Sequence, residues 1–191
     1  MLKMLNKNVM TAIILPNERT YIQAFWVSTF AILTAVAAQI SIPNQPVPFT
    51  LQTFFVLLAG ATLGKRAGSL SMCLYVSLGV LGLPLFSGGT FGIARIIGPT
   101  GGYLISFPIA AFVVGYLVRL RGEYWWMISS MFAGFIIILS FGTIQLNLVL
   151  FHNWGKSFQA GFLIFSLWDV LKLVGAATIT HYYLRNIQNC I

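Results

Sequence analysis

Charge is what this chain of 191 residues has least of: 11 Lys and Arg, 3 Asp and Glu and 2 His, with charged residues making up only 7%. That is far too few to cover a water-soluble surface. Together with 58% hydrophobic residues and a mean hydropathy of +0.88, it points to an integral membrane protein. Cysteine is almost absent too: Cys73 lies inside an apolar run and Cys190 at the C-terminal end, which excludes a disulfide framework. No His, Cys, Asp and Glu residues share metal-ligand spacing, so neither a metal nor a cofactor is expected. Gly60-x-x-x-Gly64-Lys65-Arg66 is one residue short of a phosphate loop and has no Ser or Thr after the lysine. Hydrolytic machinery is missing as well. Ser87 and His181 fall at opposite ends of the expected bundle, His152 has no acid in its loop, and there is no Gly-x-Ser-x-Gly elbow, so the chain does not read as an enzyme. The net charge of +8 comes without any nucleic-acid-binding motif and reads as loop charge facing an anionic leaflet. The first twenty residues, interrupted by Pro16, lack the compact apolar core and cleavage site of a removable signal.

What is present is a set of apolar runs of spanning length. At about 1.5 Å per residue across a hydrocarbon core of roughly 30 Å, they predict spans over 21–40, 49–64, 67–83, 103–118, 125–150 and 161–184. The expected architecture is an all-α integral membrane protein. A cytoplasmic or interfacial segment, 1–20, precedes a six-helix transmembrane domain, 21–184, and a cytoplasmic tail, 185–191, follows it. Loop charge sets the orientation. With the N-terminus inside, Lys3, Lys7, Arg19, Lys65, Arg66, Arg119, Arg121 and Arg185 fall on the cytoplasmic side and only Arg95 and Lys156 outside, which places both termini in the cytoplasm of a multi-pass protein of the cytoplasmic membrane. Two outer connections are unusual. Ser41 to Thr50 holds three prolines and no charge and reads as a hairpin dipping back toward the bundle, since irregular backbone at membrane depth survives only where protein or a cavity covers it. Pro84 to Tyr103 holds six glycines among Phe, Ile and Leu and reads as a structured loop.

The last span carries the chain's only intramembrane acid, Asp169, with Lys172 three residues on. That spacing puts both side chains on one helix face, where they neutralise each other and still offer donors and acceptors to a third group. Two readings stay open: a structural ion pair joining helices, or the floor of an outward-facing pocket lidded by the two outer connections. Phe86, Phe91, Tyr103, Phe165 and Trp168 supply aromatic wall to such a pocket, or ordinary packing. Arg95 is a pocket cation or a snorkelling surface residue. On the first span, Ala31-x-x-x-Ala35 lets another helix approach closely.

Several blocks occur in one order: Ile42-Pro43 with Pro46-Val47-Pro48-Phe49-Thr50-Leu51-Gln52-Thr53, then Leu57 to Gly64, Gly82-Leu83-Pro84 to Gly89, Gly98-Pro99-Thr100-Gly101-Gly102-Tyr103-Leu104, and Asp169-x-x-Lys172. Over about 24–172 this pattern resembles the BioY family, the biotin-specific substrate-binding components of energy-coupling-factor (ECF) vitamin transporters. The resemblance implies a six-helix bundle that binds biotin from outside and associates with a transmembrane coupling protein and ATPase subunits. It also implies that Asp169 and Lys172 lie in the biotin pocket, that Gln52 and Tyr103 are polar contacts there, and that Ala31 and Ala35 form a docking face. Arg95 then meets the ligand carboxylate on chemical grounds alone. The family's usual Pro-Gly before the acid is Leu167-Trp168 here, which predicts an earlier helix start and a reshaped rim. The alternatives are a non-transporting membrane scaffold, or a component for another small vitamin in the same pocket.

Overall fold

The computed structural model describes residues 16–163 and 167–189, with side chains from 20 to 163 and from 169 to 182. Lys3, Lys7, Phe165, Cys190, the side chain of Trp168, most of the expected N-terminal segment and the last two residues of the expected C-terminal tail lie outside the described residues.

Helix α1, Pro16–Gln39, opens on a proline, whose missing N–H costs nothing in a first helical turn. After it the chain turns back through a two-stranded ladder, β1 (Ser41–Ile42) against β2 (Phe49–Thr50), with Ser41 opposite Thr50 and Ile42 opposite Phe49. This is the expected proline hairpin, and its tip residue Val47 is buried.

Helix α2, Gln52–Val80, is two limbs. Gly64 leaves the helical region at φ 82° and ψ 175°, a conformation a side chain resists. In a straight helix Gln52 and Tyr75 would stand about 35 Å apart, yet their side chains are hydrogen-bonded, so the limbs fold back on each other at Gly64. The expected break between the second and third spans is this turn. Helix α4, Gly101–Leu117, packs into the crease. A Cβ on Gly115 would stand 2.6 Å from both the Gly60 carbonyl oxygen and the Gly64 carbonyl carbon, and one on Gly60 would meet the Ala111 backbone. Gly115→Ala is therefore expected to destabilise the fold by about 1–3 kcal/mol, read as a lower Tm and a lower folded yield in detergent.

Between α2 and α4 the glycine-rich stretch is ordered, as its apolar content required: a 3-10 turn at Ser87–Gly89 and a short helix α3, Ile93–Ile97. Helix α5, Tyr124–Leu146, follows α4 and ends in a widened turn, Asn147–Phe151. Two expectations for what comes next are corrected. The stretch with His152 and Lys156 is not a loop but opens helix α6, Trp154–Gly161, capped by the Asn153 side chain, which accepts the Lys156 backbone N–H at 3.1 Å. The last span is not continuous from residue 161, because the chain turns at Phe162 and the described part of α7 runs Leu167–Asn189. Asp169 thus sits in the first turn of α7, where the helix dipole favours an anion.

The folded-back limbs of α2 define two ends of the bundle, one at the Gly64 turn and the other at Gln52 and Val80. At one, Lys65 lies 5.2 Å from the Tyr116 ring centre, Arg121 4.9 Å from that of Trp126, and the Arg119 guanidinium lies against Gly64. At the other lie the proline hairpin and the glycine-rich stretch with Arg95, beside Gln52. The flanks between them expose Phe25, Ile32, Val36, Phe132 and Leu171. Thr20–Gln39 and Tyr124–Phe151 are long and apolar enough to cross a membrane, and Gly101–Leu117 is a shorter apolar helix. Exposed apolar surface of this kind is what a helix facing lipid or another protein presents.

Candidate functional site

A cavity of about 130 Å³ opens at the end away from the basic cluster, roughly ten times the room one water needs. Both outer connections and four helices build it. Val47, Pro48 and Thr50 come from the hairpin, Gln52 and Thr53 from the start of α2, and Phe86, Ser87 and Thr90 from the glycine-rich stretch. Arg95 and Thr100 stand at the mouth, Tyr103, Leu104 and Phe107 on α4, Ile138 on α5, and Asp169 and Lys172 on α7.

Asp169 and Lys172 meet as their spacing predicts. The Lys172 ammonium donates to Asp169 Oδ1 at 2.8 Å and to the Thr50 carbonyl at 2.8 Å, tying α7 to the hairpin. Thr53 donates to the same carboxylate oxygen at 3.4 Å. The other oxygen is the unusual one: Asp169 is 1% exposed, and its Oδ2 is buried without a hydrogen-bond partner among the described residues. Leaving a buried carboxylate oxygen unpaired is costly unless something else donates to it. An ammonium has three donors and two are taken among the described residues, so Lys172 has one left for the cavity.

Gln52 and Tyr103 line the cavity, but their polar ends are held by protein. The Gln52 amide donates to Tyr75 Oη and accepts from Thr50 Oγ1 at 2.9 Å, and Tyr103 donates to the Gly161 carbonyl at 2.9 Å. They are walls fixed in place. Arg95 is exposed at the mouth, and its guanidinium makes no hydrogen bond or ion pair among the described residues. Of the aromatics expected in the wall, Phe86 and Tyr103 are there, whereas Phe91 is 57% exposed outside it.

Sequence reasoning missed Thr53, Phe107 and Tyr75. Tyr75 lies behind the wall, accepting from Gln52, donating to the Leu85 carbonyl at 3.1 Å, and packing its ring edge-on to Phe86. The only signal for it was a tyrosine in an otherwise apolar span. Ala31 is buried in the core and Ala35 packs partly against it, so their small-residue face approaches helices of this same chain.

The BioY family profile matches residues 9–189. The biotin transporter BioY of Thermotoga maritima is 45% identical over 150 residues, 78% of this chain and 88% of that protein. The probable biotin transporter BioY of Pyrococcus horikoshii is 45% identical over 153 residues, 80% of this chain and 90% of its own length. In fold, the chain is similar to the crystal structure of the S-component for biotin from an ECF-type ABC transporter, with a TM-score of 0.82 over 90% of this chain and 95% of that one at 23% identity. With the family profile spanning almost its whole length and relatives this similar over most of theirs, the chain belongs to the BioY family.

Proposed function

We propose that this protein binds biotin at the outer face of the cytoplasmic membrane and serves as the substrate-specific component of an ECF-type transporter. The observation that carries the reading is the buried, unpartnered Oδ2 of Asp169 facing a cavity beside an ammonium with one donor to spare. A ureido ring matches that pair: its N–H groups donate to the carboxylate and its carbonyl accepts from Lys172. Phe86, Phe107 and Tyr103 give the thiophane ring an apolar seat, while Gln52 holds the wall. Arg95 at the mouth meets the valerate carboxylate.

The relatives' names, the family match and the cavity chemistry support this reading together. The fold-back of α2 and the clustering of Lys65, Arg66, Arg119 and Arg121 at one end support six spans with both termini in the cytoplasm. A transmembrane coupling protein and ATPase subunits supply the energy, and helix α1, with Ala31 and Ala35, is where we place the coupling protein. Because both alanines turn inward, docking there uses the rim of that face.

Biotin that binds only the folded protein must stabilise it. At a hundredfold excess over Kd the expected gain is about 2.7 kcal/mol, seen as a Tm rise of several degrees in detergent that saturates with biotin. Desthiobiotin, which keeps the ureido ring, is expected to stabilise as well, and thiamine or riboflavin to leave Tm unchanged. Stabilisation by another vitamin and not by biotin reassigns the substrate. A folded protein that responds to none of them leaves Asp169 and Lys172 a structural pair in a membrane scaffold.

A further inference from the structure

The wall segment from Leu83 to Phe91 forms a flap over the cavity, and its fastenings are unequal. Its base is tied to the end of α2, where the Leu83 and Gly92 backbone N–H groups donate to the Leu78 and Gly79 carbonyls at 3.2 and 2.8 Å. Its inner face is held by Phe86, 2% exposed, and by the Tyr75 bond to Leu85. Its tip, the Ser87–Gly89 turn, is held from outside the cavity by one side chain. Gln39, the last residue of α1, donates from Nε2 to the Phe86 carbonyl at 3.2 Å and accepts from the Gly89 N–H at 3.0 Å, bridging both shoulders of the turn.

We propose that Gln39 is a positioning residue for the binding site: it latches the flap and thereby sets how fast ligand enters and leaves. This rests on the binding role proposed above. Gln39 does not line the cavity, so it acts only through Phe86 and the turn. Its amide is suited to the task because it satisfies a backbone donor and a backbone acceptor at once, and because Gln39 and Gly89 are both exposed, water can replace the bond to the Gly89 N–H when the latch opens. The contrast is Gln145, whose amide donates to both the Ile96 and Gly98 carbonyls at 2.7 Å. It is half-buried and clamps the far end of the mouth, where loosening would take a donor from both carbonyls, although Gly98 would keep its bond from the Gly101 N–H. The latch also links the flap to α1, the helix to which the coupling protein is assigned.

The test is Gln39→Leu, with Gln39→Glu retaining the acceptor for Gly89 but not the donor to Phe86. Two ordinary hydrogen bonds are worth about a tenfold shift in the closed–open balance. Gln39→Leu is therefore expected to release labelled biotin about tenfold faster and to bind it faster by a similar factor, leaving Kd nearly unchanged, with Gln39→Glu in between. A purely structural role for Gln39 would lower the fraction of active protein and leave both rates alone, and that result overturns the latch. Hydrogen–deuterium exchange of residues 86–92 without ligand reads the latch directly, faster exchange in Gln39→Leu being the expected result. If the native protein binds no biotin but this exchange still accelerates, the latch stands and the biotin assignment falls. Unchanged exchange and unchanged rates remove the latch alone. Should Gln39→Leu fail to fold, Gln39→Glu decides by the same two readouts.

Discussion

Asp169→Asn is expected to weaken biotin binding at least a hundredfold while leaving a folded protein. The reasoning starts from the two carboxylate oxygens, which have different duties. Oδ1 is engaged by Lys172 and Thr53, and Oδ2 faces the cavity with no protein donor among the described residues. Asparagine fills the same volume but carries one acceptor and one NH2 group. If its oxygen stays with Lys172, the amide nitrogen takes the position of Oδ2 and sets donor against donor with the ureido N–H. If it flips, the ligand keeps a neutral acceptor while Lys172 faces an amide nitrogen. Either way a charge-assisted hydrogen bond, worth about 1.5–3 kcal/mol, is lost, and a mismatch is added. A loss of about 2.7 kcal/mol is a hundredfold in Kd. Equilibrium binding of labelled biotin to purified protein measures it, and Asp169→Asn that binds as tightly as the native chain would remove the carboxylate from the site.

How much of this was legible in the sequence varies with how local the cause is. Helix α1, the proline hairpin and the Asp169–Lys172 pair all follow from short-range rules: an apolar run of spanning length, prolines that forbid a helix, and an i, i+3 spacing. The hairpin in α2 was also readable, since Gly64-Lys65-Arg66 ends one apolar run and begins another. Helix α6 was readable in part. Asn153 is a good N-cap and Trp154, Ser157 and Phe158 fit a short amphipathic turn, but a helix of eight residues is too short to stand out against loop composition. The contacts that shape the cavity were not legible. Tyr75 reaches Gln52 across the α2 hairpin, Gln39 reaches Gly89 over 50 residues and Lys172 reaches Thr50 over 122, and only tertiary packing decides which polar side chain in an apolar span finds which carbonyl. For the same reason the motif block could put Gln52 at the cavity but could not show that its amide also bonds Tyr75 and Thr50.

Lys172→Met separates the roles of the pair, because it is expected to cost both stability and binding. The Lys172 side chain is 15% exposed and its ammonium satisfies the carboxylate of an Asp169 side chain that is 1% exposed, so removing it strands a buried charge. Breaking a buried pair from one side costs about 3–5 kcal/mol. For a chain of this size that lowers Tm by roughly 6–20 °C. The hairpin also loses its tie to α7 at the Thr50 carbonyl, and the cavity wall formed by Val47, Pro48 and Thr50 loosens with it. The double variant Asp169→Asn/Lys172→Met takes away the stranded charge as well as its partner. It is expected to recover most of the lost Tm, because a neutral pair of similar volume needs no counter-ion. Biotin binding is expected to stay absent in the double variant, since neither the acceptor for the ureido N–H groups nor the donor for its carbonyl returns. Recovery of stability without recovery of binding is the signature of a pair kept for its ligand, because helix adhesion alone is served equally well by the neutral pair. A double variant that regained biotin stabilisation along with its Tm would instead assign Asp169 and Lys172 to holding α7 against the hairpin, and would move the ureido ring to other groups in the cavity.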